Sequence, residues 1–123
     1  KEFPILGPDS LAAHRVAMSF RALAPEKYGE YHIKLLSGDV RATEAHAIEV
    51  AKEFGVDEAA LKAGMDDPAI DQSIRQTYEL ANALGISGTP SFVIGNEAVF
   101  GAVGEEVLLG KIANMRQCES TVC

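Results

Sequence analysis

The stretch GISGTPSFVIGNEAVFGA, residues 85–102, decides how the chain is interpreted. It contains two short apolar runs, Ser91–Ile94 and Glu97–Phe100, and the Gly95–Asn96 pair between them is typical of a two-residue hairpin turn. We therefore predict a β-hairpin over these residues. Gly101 at its end predicts a bulge or a close backbone approach.

Pro90 stands immediately before the first of these strands, where its missing N–H would remove a ladder hydrogen bond. Two arrangements accommodate it. In one, the Thr89–Pro90 bond is cis in a tight loop, because an X-Pro bond adopts cis at small cost and Gly88 gives the backbone freedom to turn. In the other, Pro90 is an ordinary trans proline at an edge strand. The spacing alone does not distinguish them.

The segment upstream of the hairpin has the pattern of a helical block. Its apolar residues recur at helical spacing, and Gly, Pro and capping residues divide it into five helices. The first is predicted from Leu11 to Leu23, with Asp9 or Ser10 as its N-cap, and Pro25 ends it. A final helix is predicted from residue 104 to about residue 117. The apolar positions predicted to face inward include Ala12, Val16, Phe20, Leu23, Tyr31, Leu35, Leu36, Ala47, Ile48, Ala51, Ile70, Ile74, Tyr78, Ala81 and Leu84.

Composition restricts the class of partner. The 123 residues carry a formal charge of −7, and 47% of them are hydrophobic, enough for a core. Nucleic acids and anionic membranes attract basic surfaces, so this acidic chain is not expected to bind nucleic acid. No apolar run approaches the roughly 20 residues that span a bilayer.

The two cysteines, Cys118 and Cys123, lie together in the tail CESTVC. Their spacing is wider than the Cys-X-X-Cys of a redox helix, so a tail disulfide or free thiols are favoured over a redox pair. The three histidines, His14, His32 and His46, are scattered, and the chain offers no second pair of ligands. We therefore expect no metal site, and no motif in the sequence indicates a cofactor.

Two motifs together resemble a known family. LGISGTPSFVIG (residues 84–95), followed by a second short strand, Gly101–Ala102 and a terminal helix, looks like the C-terminal half of a thioredoxin fold. EFPILGPDS (residues 2–10), which runs into an Ala-rich helix, is similar to the DsbA-like thiol-disulfide oxidoreductases. In that family a strand of this kind leads into an inserted helical domain. The order of strand, helical insertion, hairpin and helix matches over nearly the whole chain.

The resemblance implies an α/β, mostly helical fold, a partial thioredoxin-like domain. Residues 1–7 would end a thioredoxin-fold strand, 8–85 would form the helical insertion, 86–117 the C-terminal ββα half, and 118–123 a tail. In the family, the loop equivalent to Thr89–Pro90 packs against the redox cysteines as a cis-proline loop. The backbone of the residue before the proline pairs with the substrate peptide. Thr89 and Pro90 are therefore the expected catalytic-site residues, with Gly88 and Thr89 contacting substrate.

The family's Cys-X-X-Cys does not occur in these residues, and the chain opens on KEFP, without a leader. We expect a fragment whose redox cysteines lie upstream of Lys1 and which is inactive alone. The parent would be a periplasmic or secreted bacterial enzyme that acts on protein thiols and disulfides, with a redox partner protein and no cofactor. Because a sheet without its first strand leaves an unpaired edge and bare apolar surface, we also expect a homodimer of this polypeptide.

Two alternatives remain open. One is a glutathione-binding relative of the same superfold, such as the kappa-class transferases and related isomerases, which also have a helical insertion and a cis-proline. A single Ser or Cys in place of Cys-X-X-Cys would favour it. The other is a non-catalytic domain that only binds a protein client, which the absence of any cysteine in the upstream strand and helix would favour.

Overall fold

Helices dominate the structure, a computed structural model that describes all of residues 1–123. The chain divides into two compact units, residues 1–77 and residues 78–123. The predicted order of a helical block, a hairpin and a final helix is confirmed. The elements are α1 (Pro8–Leu23), a 3₁₀ turn (Pro25–Lys27), α2 (Tyr28–Leu36), α3 (Glu44–Glu53), α4 (Glu58–Gly64), α5 (Pro68–Ala83), β1 (Ser91–Ile94), β2 (Glu97–Phe100) and α6 (Glu105–Cys118).

The first unit has a continuous apolar core built around α1, which packs against α3 and α4. Phe20 of α1 stacks on Tyr31 of α2 with ring centroids 4.1 Å apart, and Phe54 meets Phe20 edge-on at 5.8 Å. Offset and edge-on aromatic contacts of this kind stabilise a core beyond the area that they bury. The buried members of the core are Ala13, Val16, Ala17, Phe20, Ala24, Tyr31, Leu35, Ala47, Ile48, Val50, Ala51 and Leu61.

Short polar residues begin the later helices. The Thr43 hydroxyl accepts from the His46 N–H at 3.2 Å, and the Asp57 carboxylate accepts from the Ala60 N–H at 2.9 Å. Helix α1 differs from the prediction, because Gly7 precedes its first residue and Asp9 and Ser10 lie inside its first turn. Pro8, whose φ already suits the first helical position, starts the helix earlier than the capping pattern predicted.

The sheet consists of β1 and β2 alone, so residues 1–7 have no ladder partner here, and their assignment as the end of a thioredoxin-fold strand stays a prediction. An extended segment becomes a strand only when a neighbour supplies ladder hydrogen bonds. Leu23 and Leu36 have the right helical spacing, yet they are 48% and 60% exposed. Both stand at the last residue of a helix, where the helix extends beyond the elements that cover its face. Tyr78 and Leu84 of the predicted α5 stripe are exposed as well.

The second unit is a hairpin with α6 packed on β1. The antiparallel register pairs Ser91 with Phe100 and Ile94 with Glu97. Because side chains alternate across a strand, Phe92, Ile94, Glu97 and Val99 share one face of the hairpin, whereas Ser91, Val93, Ala98 and Phe100 share the other. Glu97 binds Lys111 of α6, so the first of these faces carries the helix.

Candidate functional site

The Thr89–Pro90 loop enters β1 through a cis peptide bond. Two hydrogen bonds hold the loop: the Gly101 N–H donates to the Pro90 carbonyl at 2.9 Å, and the Ser91 hydroxyl donates to the Gly88 carbonyl at 2.8 Å. The first bond joins the entrance of β1 to the residue after β2. Gly101 has a φ of 82°, a left-handed conformation that glycine adopts without strain.

A cavity of about 300 Å³ opens beside this loop. Thr89 and Pro90 are both solvent-exposed, and the exposed ring of Phe100 forms part of the cavity wall. The wall thus combines backbone polar groups with one large apolar side chain. The lining residues are Gly85, Ser87, Gly88, Thr89, Pro90, Ser91, Phe100 and Gly101.

The backbone of Thr89 has no internal partner. No backbone–backbone hydrogen bond of the chain uses its N–H or its carbonyl, although the Pro90 carbonyl accepts from the Gly101 N–H and the Gly88 carbonyl accepts from the Ser91 hydroxyl. Backbone polar groups are strong hydrogen-bonding groups that either pair or face water. An exposed, unpaired N–H and carbonyl at the entrance to a strand is the arrangement that accepts an added extended chain.

The open face of the hairpin continues from this cavity. Val93 and Phe100 lie on it and are 52% and 55% exposed. Ser91 and Ala98 share the same face by the register of the two strands. The loop therefore adjoins an apolar sheet surface that α6 does not cover.

Polar contacts fix the opposite face. Lys111 of α6 donates to both carboxylate oxygens of Glu97, at 2.8 and 2.9 Å. Hydrogen bonding by Lys111, with a smaller contribution from Thr121, holds the pKa of Glu97 below its ordinary value. Cys118 and Cys123 are joined in a disulfide that closes the tail around Thr121.

The other titratable cluster lies in the first unit. The Glu2 carboxylate is 2.5 Å from Nδ1 of the buried His14 and 3.7 Å from Nδ1 of His32. Burial, followed by the charge of Glu2, raises the pKa of Tyr31. These contacts anchor residue 2 to α1 and α2. Nowhere does the structure bring three His, Cys, Asp or Glu side chains into a cluster suited to a metal ion.

The fold and the loop together define a thioredoxin-like protein with a helical insertion. The family comparison agrees: the DSBA-like thioredoxin domain matches residues 2–113, and the chain belongs to this family. The family's members are thiol-disulfide oxidoreductases. Among functionally curated proteins, no sequence matches significantly.

Two solved structures resemble the chain closely. A thioredoxin-like oxidoreductase from Silicibacter pomeroyi DSS-3 shares 34% identity with a TM-score of 0.87 over 95% of this chain. The thiol-disulfide exchange protein alpha-DsbA2 from Wolbachia pipientis shares 32% identity with a TM-score of 0.81 over 92%. The chain spans 66% of the first protein's length and 62% of the second's. None of its helices is long and apolar enough to cross a membrane.

The structure places the residues singled out in the sequence in two separate parts of the second unit. Gly88, Thr89 and Pro90 form the loop beside the cavity, whereas Cys118 and Cys123 lie in the tail. Sequence reasoning missed Phe100 as a wall of the cavity. The alternation of β2 with the Gly95–Asn96 turn could have placed Phe100 opposite Ser91, next to the loop. It also missed the ion pair of Lys111 with Glu97, because no spacing rule relates residues of β2 to residues of α6.

Proposed function

We propose that the protein exchanges disulfides with extended segments of protein substrates, and that these 123 residues supply the peptide-binding loop of the site. The observation that carries the proposal is the exposed, unpaired backbone of Thr89 beside a cavity of about 300 Å³. An extended substrate segment lying antiparallel to the loop accepts from the Thr89 N–H and donates to its carbonyl. A substrate side chain then enters the cavity against Phe100.

Exchange itself needs a nucleophile that this polypeptide does not carry in Cys-X-X-Cys form. A thiolate attacks one sulfur of a disulfide, forms a mixed disulfide and releases the other sulfur as a thiolate. We propose that in the whole protein a Cys-X-X-Cys outside these residues performs this attack beside Pro90. A redox partner protein restores its oxidation state, and no cofactor takes part.

The 123-residue polypeptide alone is therefore expected to be inactive. In an insulin-reduction assay with dithiothreitol it should not accelerate precipitation above the uncatalysed rate, and the double variant C118S/C123S should behave identically. Turnover by the unmodified polypeptide that disappears in the double variant would contradict the proposal, because it would assign the activity to the tail cysteines.

A binding measurement at the loop distinguishes a peptide from glutathione as the class of ligand. We expect an unstructured, cysteine-containing peptide to shift the amide resonances of Gly88, Thr89 and Gly101 in an NMR titration. Saturable shifts with glutathione but not with peptide would favour the glutathione-binding alternative. Shifts with neither ligand would remove the loop as a binding site.

A matched pair of variants tests whether the backbone is responsible. Thr89→Pro removes the N–H donor, whereas Thr89→Val keeps it and changes only the side chain. Peptide binding should be lost in the first variant and retained within about twofold in the second. Unchanged Phe92 and Val99 resonances establish that the hairpin is intact, and equal binding by both variants would refute the backbone contact.

We further propose that the whole protein works in the periplasm or is secreted, the compartments in which disulfides persist. The isolated polypeptide is proposed to form a homodimer through the open hairpin face, where Val93 and Phe100 are exposed. Light scattering should give twice the monomer mass, and Phe100→Ser should shift it toward the monomer. A monomeric mass for the unmodified polypeptide at high concentration would refute the dimer.

A further inference from the structure

The carboxylate of Glu2 lies between two histidines that belong to different helices. Its oxygen Oε2 is 2.5 Å from Nδ1 of His14 in α1, and its oxygen Oε1 is 3.7 Å from Nδ1 of His32 in α2. The side chain of His14 is 6% exposed, whereas that of His32 is 42% exposed. One carboxylate is therefore placed between a buried imidazole and an imidazole that solvent can protonate.

The two oxygens of this carboxylate are not equally satisfied. An ionised carboxylate only accepts hydrogen bonds, so Nδ1 of His14 carries the hydrogen that it donates to Oε2. Oε1 is buried and receives no hydrogen bond from any group of the chain. A buried acceptor without a donor opposes folding, and more strongly when it carries charge. A proton donor directed at Oε1 would therefore stabilise the folded chain.

The other titratable or charged groups that face this cluster do not supply that donor. Burial, followed by the charge of Glu2, raises the pKa of Tyr31, and its hydroxyl already donates to a backbone carbonyl of α3 at 3.3 Å. The ring of Tyr28 has its centroid 5.9 Å from that of His32. The guanidinium of Arg21, from α1, lies 5.7 Å from the centre of the same tyrosine ring.

His32 can supply the missing donor when it is protonated. A neutral imidazole carries hydrogen on one nitrogen, whereas an imidazolium carries it on both. The imidazolium directs an N–H and a positive charge at Oε1, and a movement of less than about 1 Å closes the 3.7 Å gap to a hydrogen bond. Histidine changes charge between about pH 5 and pH 8, a range in which a carboxylate stays ionised.

We propose that Glu2, His14 and His32 form a proton-operated latch that holds residues 1–7 on α1 and α2 more tightly in mild acid than in mild alkali. His14 is the permanent contact, and His32 makes the second contact when it takes up a proton from solvent. Release returns that proton to solvent, so the latch needs no other reactant. The latch does not depend on disulfide exchange or on the Thr89 loop.

Linkage gives the direction of the pH effect. The folded chain offers protonated His32 an anionic partner that the unfolded chain lacks, so folding takes up protons. The stabilisation is then present at about pH 5.5 and lost as the pH rises to about pH 8. We expect it to raise the folding equilibrium constant by about three- to tenfold between these two values, the range for a charge-assisted hydrogen bond at a partly exposed site.

Urea denaturation of the 123-residue chain at the two pH values measures this ratio of folding constants. His32→Gln and Glu2→Gln should each lose the three- to tenfold gain, because one removes the titrating group and the other removes its charged partner. His46→Gln is the matched control and should keep the gain. It removes the third histidine of the chain, whose contribution to the cap of α3 is a backbone N–H that the substitution retains.

A local measurement separates the latch from other pH effects on stability. Amide nitrogen relaxation should show that Phe3 and Ile5 are more restricted at about pH 5.5 than at about pH 8, and His32→Gln should abolish this difference. The latch is refuted if His32→Gln keeps the gain of the unsubstituted chain, or if His46→Gln loses it to the same extent. Equal mobility of these two residues at both pH values would also refute it.

Discussion

The two units of the chain are stabilised in different ways. The first, residues 1–77, buries a continuous set of apolar side chains centred on the stacked rings of Phe20 and Tyr31. The second, residues 78–123, buries only Ala81, Val99 and Thr121, and α6 has no buried residue. Several of its large apolar side chains, among them Val93, Phe100, Val107 and Leu109, are exposed.

This difference separates a unit that packing maintains from one that depends more on specific polar contacts. Hydrophobic burial is the main favourable term in folding, and it scales with the apolar area removed from water. The second unit buries less apolar area. A larger share of its stability therefore comes from polar contacts, namely the bond of Glu97 to Lys111, the loop around Thr121 and the hairpin ladder. The exposed hairpin face is also where the proposed substrate loop lies.

The largest effect should come from the core of the first unit. Phe20→Ala removes a fully buried ring and should lower the free energy of unfolding by about 3–5 kcal/mol. Phe100→Ala, a matched truncation at an exposed ring, should change it by less than about 1 kcal/mol. Urea denaturation followed by circular dichroism measures both, at concentrations low enough to avoid association. Comparable losses would remove the contrast between the units.

A pair of glycine substitutions, one in each unit, should change the free energy of unfolding by an intermediate amount. A Cβ on Gly64 would lie 2.2 Å from the Ser19 Oγ, which donates to the Leu61 carbonyl, so Gly64→Ala should cost about 1–3 kcal/mol. A Cβ on Gly110, inside α6, meets nothing within 4 Å. Gly110→Ala should therefore stabilise the protein by about 0.5–1 kcal/mol. Thermal unfolding should show opposite signs, and Ser19→Gly should partly rescue Gly64→Ala.

The smallest effects on stability are expected from electrostatic contacts, and they depend on pH. Hydrogen bonds from Lys62 and then Lys52 lower the pKa of Glu58 to about 2, and Lys111 lowers that of Glu97. A carboxyl group whose pKa is lowered by folding stabilises the protein above the unfolded value of 4.5, and this contribution disappears as pH falls through the folded value.

Stability should consequently decline between about pH 5 and pH 2, most visibly at low salt. Glu58→Gln should flatten part of this decline without changing the plateau at neutral pH by more than a small amount, because the site is exposed. Carboxyl NMR gives the two titrations directly. A Glu58 midpoint at its ordinary value would show that the Lys52 and Lys62 contacts are not maintained in solution.

Much of the helical architecture could be predicted because each helix carries its own signals. Thr43 and Asp57 satisfy free N–H groups locally, and the spacing of Val16 and Phe20 identifies the buried face of α1. The same spacing was misleading at Leu23 and Leu36. Periodicity shows which face of a helix is apolar, but the extent of the covering neighbours decides where along that face burial stops.

The residues of the candidate site also divide into those that local sequence signals predict and those that they do not. The Gly88–Thr89–Pro90 motif was visible in the sequence because its turn chemistry is local. The role of Phe100 in the cavity wall required the register of the hairpin, and the hydrogen bond from Asn114 to the Thr121 carbonyl required the tail to turn back at residue 119. Contacts between residues far apart in the chain depend on packing that no local pattern encodes.

The hydrogen bond from Gly101 to the Pro90 carbonyl has a consequence for how the hairpin can change in length. The bond exists because Ser91 faces Phe100 across the ladder, which brings the residues just outside that pair together. If an extra residue simply lengthens the Gly95–Asn96 turn, the ladder keeps its register and Gly101 stays beside Pro90. If the turn keeps two residues and the strands slip instead, each inserted residue moves Gly101 one position away from Pro90, and a slip by one residue also exchanges Val99 with Phe100 between the two faces. Insertions at this turn should therefore retain the Thr89–Pro90 loop only where the turn itself absorbs the added residues.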